Sequence, residues 1–427
     1  MKNKTIPIFY ACDDNFAKYM VVSLSSMMKT SSPDKSYRVH ILSTTISEKT
    51  KSIIYGMKAE NFEISFEDVT PYLEKIAEKL PIRHYYTKTT YFRLFIPDMF
   101  PEYDKAIYID ADTVVREDIS KLYETDIKDK LVGACHEQAM VQTKVFGDYC
   151  EEVVGISRHA FFNAGLLLIN CREFRQRRAL DRFFTLLGEY DFVVTQDEDY
   201  LNVICKDRVH FLDQRWNTEV TAGISYPYDV KAEAYIVHYI MANKPWHYEN
   251  SVEGDIFWDA AEGTPVSELL KSELASYTDA QRERDRASGE SLVKMAEAEI
   301  QRGDNYKRRL MSKMAPDRVL ALNKIEEYEA DGRFDVDVEN DPPTKPLYPD
   351  DIDYMRSSLG AKLHTAIAYL KAKKFLNYII KKKLLVIKDI RGLENLKKLF
   401  HGGNRLNYSA KIHNFIGTIG NLFYILI

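Results

Sequence analysis

The chain is poor in cysteine and keeps none of it in a pattern. Its five cysteines, Cys12, Cys135, Cys150, Cys171 and Cys205, are odd in number and scattered, with no C-x-x-C spacing. That distribution argues against a disulfide framework and a zinc knuckle, and for a reducing compartment. A run of about 20 apolar residues, the length that crosses a bilayer, is missing too. The start, MKNKTIPIFYACDDN, carries charge, but its apolar run stops within a few residues at Asp13, too short for a signal peptide. No internal repeat is visible. A basic body is also missing. The net charge is −5, and from Ala361 onward thirteen Lys/Arg face only Asp389 and Glu394, a local balance of +11 that leaves −16 for the first 360 residues. An acidic body with a basic tail excludes the ordinary nucleic-acid binder, whose basic patch sits on the folded domain.

What is present is apolar. With 45% hydrophobic and 12% aromatic residues over 427 positions, the chain can bury a large core, and its length fits two or three domains. The first 260 residues alternate β-rich runs with amphipathic helical stretches. IPIFYAC, YRVHILST, KAIYIDAD, KLVGACHE, FFNAGLLLIN and AYIVHYI read as strands. FAKYMVVSLSSMMKT, TKTTYFRLFIPDMF and REFRQRRALDRFFTLLGEY read as helices. Such alternation predicts βαβ units and a mostly parallel sheet covered on both faces. Ligands of such sheets bind beyond the carboxyl ends of the strands, where CDDN, DAD and the histidine of VHY fall. Residues 261–353 are charged and helix-favouring, then acidic and proline-rich as a linker; one or two exposed or partner-packed helices, or a homodimer element, are expected there. Residues 354–427 form the basic tail.

One stretch carries the chemistry. AIYIDADTVV ends an apolar run in Asp110 and Asp112, and burying unpaired carboxylates costs several kcal/mol. Two apart in an extended segment, both side chains point to one side, a hard oxygen site for Mg²⁺ or Mn²⁺. Two other readings remain open on the motif alone. One is an acidic turn with Asp112 as a cap. The other is the haloacid-dehalogenase phosphatase signature, with Asp110 as nucleophile and Asp112 as general acid.

The surroundings favour a different family. FYACDDNF, TTYFRLFIPDMFPEYDKAIYIDADTVV, FFNAGLLLIN, QDEDYLN and VHYIMANKPWH occur in that order. Together they resemble the uridine loop, the Arg helix with its D-x-D strand, the sugar-facing strand, the D-Q-D-x-L-N segment and the H-x-x-G-x-x-K-P-W loop of retaining family-8 glycosyltransferases. That group includes glycogenin and bacterial galactosyl- and glucosyltransferases of surface polysaccharides. The resemblance spans the first 260 residues and implies a GT-A-type α/β fold, a Rossmann-like nucleotide-sugar domain with a mixed, mostly parallel sheet, followed by a C-terminal helical region.

It also implies roles. Asp110 and Asp112 bind a divalent metal with His238 as third ligand, and an imidazole ligand favours Mn²⁺ over Mg²⁺. Read alone, His238 would be a core histidine on an alternating strand. Ala11, Asp13 and Asn15 match the positions that hold uridine, although Asx residues also form ordinary turns. Arg93 reaches the donor near Asp110 or makes a structural ion pair. Asn163 faces the sugar, Asp197 bonds its hydroxyls, and Lys244 meets the diphosphate as a point charge. Two positions depart from the family. Met241 stands where glycine is common, and Glu198 stands where the family has glutamine, below the anomeric carbon. A carboxylate there allows a covalent or ion-pair role; otherwise it is an acid at a helix start.

The donor implied is a UDP-hexose, glucose or galactose, and the acceptor a polysaccharide or lipid-linked oligosaccharide. The tail, with LHTAIAYLKAKKFLNYIIKKKLLVIKDI, sets lysines against apolar residues at helical spacing, an interfacial pattern for an anionic membrane. A cytoplasmic protein, peripheral on the inner membrane face, is therefore expected. A non-catalytic membrane scaffold is the alternative outside enzyme chemistry.

Overall fold

The computed structural model describes residues 5–57, 59–76 and 88–313, so the acidic linker and the basic tail lie outside the described residues. The strands are β1 (Ile6–Ala11), β2 (Tyr37–Ser43), β3 (Phe62–Asp68), β4 (Ala106–Ile109), β5 (Thr113–Val115), β6 (Val132–Ala134), β7 (Leu166–Ile169), β8 (Val209–Phe211), β9 (Thr218–Val220) and β10 (Ile236–Tyr239). Seven of them form a sheet in the order β3-β2-β1-β4-β7-β6-β8, and β5-β10-β9 form a second, small one. β3, β2, β1 and β4 run parallel, as does β6 with β8; β7 alone opposes its neighbours β4 and β6. β1 and β4 are buried along nearly their whole length rather than on alternate residues, as central strands covered on both faces require.

The helix Asp14–Thr30 covers one face. Asp13 caps it by accepting the Phe16 N–H (2.9 Å), and it buries Ala17, Met20, Val21, Leu24 and Met27. Hydroxyls on its inner side fix the neighbouring strands: Ser23 joins Tyr10 (2.9 Å) to Thr113 (2.7 Å), and Ser26 Oγ accepts the Val115 N–H (2.9 Å). Each such buried bond contributes about 1 kcal/mol. Their structural effect is to pin β5 beside the end of β1.

Four expectations change in detail. The predicted helix over 172–190 is two, Cys171–Gln176 and Ala179–Glu189, broken where Arg178 adopts φ 55°. The predicted helix over 87–100 begins as a 3₁₀ turn, Lys88–Tyr91, before the α-helix Phe92–Met99. FFNAG is not strand apart from a single bridge between Phe162 and His136; the strand proper begins at Leu166. Asp110 and Asp112 do not sit in extended chain but in the tight link where the backbone leaves β4 for β5.

Residues up to Arg308 form one compact unit that includes two helices beyond position 260. Ser267–Ser276 and Asp279–Gln301 are separated at Tyr277 and Thr278, where Thr278 and Gln281 make a capping box. The longer helix buries only Ala296, as its charged sequence predicts.

Candidate active site

The link between the two sheets brings the acids together. β4 ends at Ile109, and the Asp110 N–H is tied to the Gly165 carbonyl at 2.7 Å. β5 then pairs antiparallel with β10, which places His238 opposite Thr113, and the Tyr239 N–H bonds the Asp112 carbonyl at 3.0 Å. Ligand atoms of Asp110, Asp112 and His238 consequently lie within 4.8 Å of one another. His238 Nε2 stands 3.2 Å from Asp112 Oδ1 and 3.9 Å from Asp110 Oδ2. Two carboxylate oxygens and one imidazole nitrogen suit a divalent ion such as Mn²⁺. Gly165 closes the third side. A Cβ there would run into His238 Cε1 and lie 2.8 Å from Asp110 Oδ2 and 3.0 Å from Asn163 Oδ1, so only glycine leaves the three groups room.

Two cations hold these acids. Lys244 Nζ donates to Asp112 Oδ2 at 2.7 Å and also to the Tyr239 carbonyl. Burial alone would push the Asp112 carboxyl up, but Lys244 and His238 outweigh it and hold the group well below the usual carboxylate range. Arg93, 8% exposed, reaches Asp110 Oδ1 at 3.2 Å and donates to the Ala164 carbonyl at 2.5 Å. Its Nε is directed at the Thr90 carbonyl (3.1 Å), with Asp197 Oδ2 a further electrostatic partner at 3.1 Å. Arg93 is thus both the structural ion pair and a wall of the cleft. Its guanidinium lies 4.5 Å from the centre of the Tyr108 ring, whose hydroxyl donates to Asp110 Oδ1 at 2.6 Å.

The cleft opens at the carboxyl ends of β1 and β4 and is lined by Ala11, Asp13, Phe16, Arg93, Tyr108 and Asp110, among others. Asn15 lies exposed on the first helical turn beside it. Phe16, 46% exposed, and Tyr108 were not singled out from sequence, yet both face this space. An aromatic residue at a strand end looks like core until the fold shows which side is open.

QDEDYLN forms the start of the helix Asp197–Cys205. Gln196 precedes it at φ 55°, ψ −112°, a strained conformation that aims the first turn inward. Asn202, fully buried, accepts the Phe162 N–H (2.9 Å) and donates to its carbonyl (2.8 Å), which clamps this helix to the segment before β7. Glu198 Oε2 accepts the Ala164 N–H at 2.9 Å on the same segment. Burial, with Arg93 opposing and Asp110 assisting, pushes Asp197 up to about 6. Burial, then the nearby Glu137 carboxylate, raises Glu198 well above its ordinary value.

Asn163 is 5% exposed and engaged internally: Oδ1 accepts from Gly165 N (2.8 Å) and Asn217 Nδ2 (2.8 Å), and Nδ2 donates to Glu137 (2.5 Å). Asn217 and Glu137 carried no signal in the sequence. The loop after β10 keeps a conformation that favours glycine, with Met241 at φ 59°. Pro245–Trp246 packs it down as expected: Trp246 is 1% exposed and stacks on Tyr19 at 3.9 Å.

Residues 7–250 match the description Glycosyl transferase family 8, and with more than half of the chain inside that match the protein belongs to this family. It is a glycosyltransferase with a GT-A fold, of the hexosyltransferase kind, which removes the phosphatase alternative. The chain is similar to the lipopolysaccharide glucosyltransferase WaaO of Escherichia coli K12, 26% identical over 295 residues that cover 63% of this chain and 77% of WaaO. Among solved structures it is similar to the galactosyltransferase LgtC in complex with donor and acceptor sugar analogs, at 26% identity and a TM-score of 0.51, covering 63% of this chain and 100% of LgtC. The bifunctional glycosyltransferase WbbM shares the fold, at 23% identity and a TM-score of 0.57 over 65% of this chain; the chain spans about half of WbbM, 52%. Among the described residues no helix is long and apolar enough to cross a membrane.

Proposed function

We propose that the protein transfers glucose or galactose, with retention, from a UDP-hexose to a growing polysaccharide or lipid-linked glycan. The observation that carries this reading is the convergence of Asp110, Asp112 and His238 beside the cationic Lys244 and Arg93, at the mouth of a cleft walled by Ala11 and Asp13. Asp110, Asp112 and His238 would hold Mn²⁺, which supplies Lewis-acid stabilisation of the negative charge on a departing diphosphate. Lys244 contributes a second, movable positive charge to the same oxygens. Ala11, Asp13 and the neighbouring Asn15 receive the uridine. Arg93 keeps Asp110 and Asp197 at fixed separation, so that the sugar's hydroxyls meet a preformed acceptor in Asp197.

In the transfer, the bond between the anomeric carbon and the phosphate oxygen breaks with its electron pair going to the phosphate. The acceptor hydroxyl oxygen then bonds that carbon and passes its proton to the phosphate oxygen that has left it. Glu198, tethered by the Ala164 N–H, offers the lone pairs of its carboxyl oxygen to the positive charge on the anomeric carbon while this happens. Homology to lipopolysaccharide glucosyl- and galactosyltransferases supports a surface-glycan acceptor. The +11 tail supports a site of action at an anionic membrane face.

The test is UDP release from a panel of UDP-hexoses with Mn²⁺, run beside Asp112→Ala and Glu198→Gln. Release from one sugar, lost in Asp112→Ala and cut by about a hundredfold or more in Glu198→Gln with donor affinity kept, is expected. Full activity of Glu198→Gln would remove Glu198 from catalysis. A wild type that ignores every UDP-sugar would overturn the reading.

A further inference from the structure

A chain of buried side chains runs from His238 away from the acids, and its polarity can be worked out link by link. Backbone N–H groups only donate, so they fix the direction. The Gly165 N–H bonds one terminal atom of Asn163 at 2.8 Å, which must therefore be oxygen. The same oxygen faces Asn217 at 2.8 Å, so the atom of Asn217 that meets it is its amide nitrogen. Asn217 must then present its oxygen to His238 Nδ1, 3.0 Å away. At the other end, the Asn163 nitrogen donates to Glu137 Oε2 (2.5 Å), and Glu137 Oε1 accepts the Ala139 N–H (3.0 Å). Asn163, Asn217 and His238 are all at most 5% exposed, so water is not available to change the order.

We infer that the relay Glu137–Asn163–Asn217 holds a ring proton of His238 on Nδ1, which leaves Nε2, the nitrogen that faces Asp110 and Asp112, as the one able to ligate a metal. The inference rests on the metal reading above but concerns residues outside the ligand set: Glu137, Asn163 and Asn217 act as positioning residues. The alternative arrangement is equally definite. Were Asn163 to flip, Asn217 would flip after it and offer N–H to Nδ1, forcing the proton onto Nε2 and removing the ligand. The Gly165 N–H, which would then face the Asn163 amide nitrogen, and Glu137 Oε2, which would face the Asn163 oxygen, stand against that reversal.

Glu137→Gln tests this, because it replaces an obligate acceptor by an amide. Its nitrogen faces either the Asn163 nitrogen or the Ala139 N–H, unless Asn163 and Asn217 turn over. Adding Asn163→Asp to that variant restores an acceptor opposite the new amide while still accepting from Gly165 and Asn217. In the full-length protein, Mn²⁺ binding followed by electron paramagnetic resonance should weaken about tenfold or more in Glu137→Gln. It should return to within about threefold of wild type in the double variant, with the melting temperature lost and regained in step. Unchanged binding in Glu137→Gln, or a double variant no better than the single, overturns the relay. If Glu137→Gln does not fold, recovery of folding by Asn163→Asp upholds the relay and failure to recover overturns it. A wild type that binds no Mn²⁺ refutes the metal reading instead, and the loss and regain of melting temperature then decides the relay by itself.

Discussion

Removing the Lys244 ammonium should make the protein bind metal more tightly and nucleotide more weakly. Lys244 Nζ sits 2.7 Å from Asp112 Oδ2, with the two side chains 13% and 14% exposed. At an effective dielectric of about 20 the bare attraction at that distance is about 6 kcal/mol, an upper bound. Desolvation cancels most of it, and a hydrogen bond between charged groups is worth about 1.5–3 kcal/mol net. A divalent ion that binds through Asp112 must displace that bond, and it also meets the repulsion of a neighbouring ammonium. Lys244→Met deletes both obstacles. The expected gain is about 2 kcal/mol, roughly thirtyfold in Mn²⁺ affinity without nucleotide. With UDP present the sign reverses, because the ammonium that competed for Asp112 is then free to meet the diphosphate. UDP affinity in saturating Mn²⁺ should fall by a similar factor. Free Mn²⁺ measured by electron paramagnetic resonance, with and without UDP, reads both quantities. A Lys244→Met protein that binds Mn²⁺ no better than wild type in the absence of UDP would refute the competition.

Two other outcomes follow from the geometry. Gly165→Ala should weaken Mn²⁺ binding by tenfold or more, because a methyl group there meets His238 and stands 2.8 Å from Asp110 Oδ2; overpacking should also cost about 1–3 kcal/mol of stability, and unaltered Mn²⁺ affinity would show that the site has slack. The Asp197–Cys205 helix predicts a pH slope. Burial pushes Asp199 up to about 7, against hydrogen bonds from Thr195 and Tyr149 that lower it. The folded protein therefore binds more protons than the unfolded chain above the ordinary Asp range, and this group's contribution is lost as pH rises through about 7. Buried His40 and half-buried His136, both shifted down, act in the opposite sense, so the measurement is a difference. Asp199→Asn keeps an acceptor for Thr195 and Tyr149 and should gain stability relative to wild type between about pH 4 and 7. Parallel melting curves across that window would contradict the assignment.

How much of this was legible beforehand depends on the range of each interaction. The β1 and β4 strands and the capped helix after Asp13 declare themselves locally, through continuous apolar runs and an Asx residue before an amphipathic stretch. The acids of DAD were legible because charge at the end of a buried strand needs a partner. Their geometry was not: alternation assumes extended chain, whereas the pair lies in the link where the backbone changes sheets. The break at Arg178 has no glycine or proline to announce it. Asn217 and Glu137 were invisible for a different reason. Asn217 directly precedes β9, and only the parallel pairing of β9 with β10 brings it beside His238. No property of RWNT in isolation encodes that neighbour.

The loop that carries Lys244 joins these strands of argument, because its conformation is unfavourable locally and is held from elsewhere. Met241 at φ 59° costs on the order of 1–2 kcal/mol relative to an ordinary backbone, where the family's usual glycine would cost little. Three contacts hold the loop against that preference. Trp246 is sealed between Tyr19 and Phe257, with ring centres 3.9 and 4.9 Å away. The His247 ring stacks on Tyr277 at 3.8 Å. Glu273 accepts from the Tyr19 hydroxyl (2.7 Å) and pairs with Lys18 (2.8 Å), with His247 Nε2 at 3.4 Å. Glu273 and Tyr277 lie beyond residue 250, where the family match ends. The charged helices that read in sequence as an exposed or partner-packed appendage therefore brace the loop from which Lys244 reaches Asp112. In this chain a position that lacks glycine is offset by an added helical support, and the lysine keeps its place at Asp112.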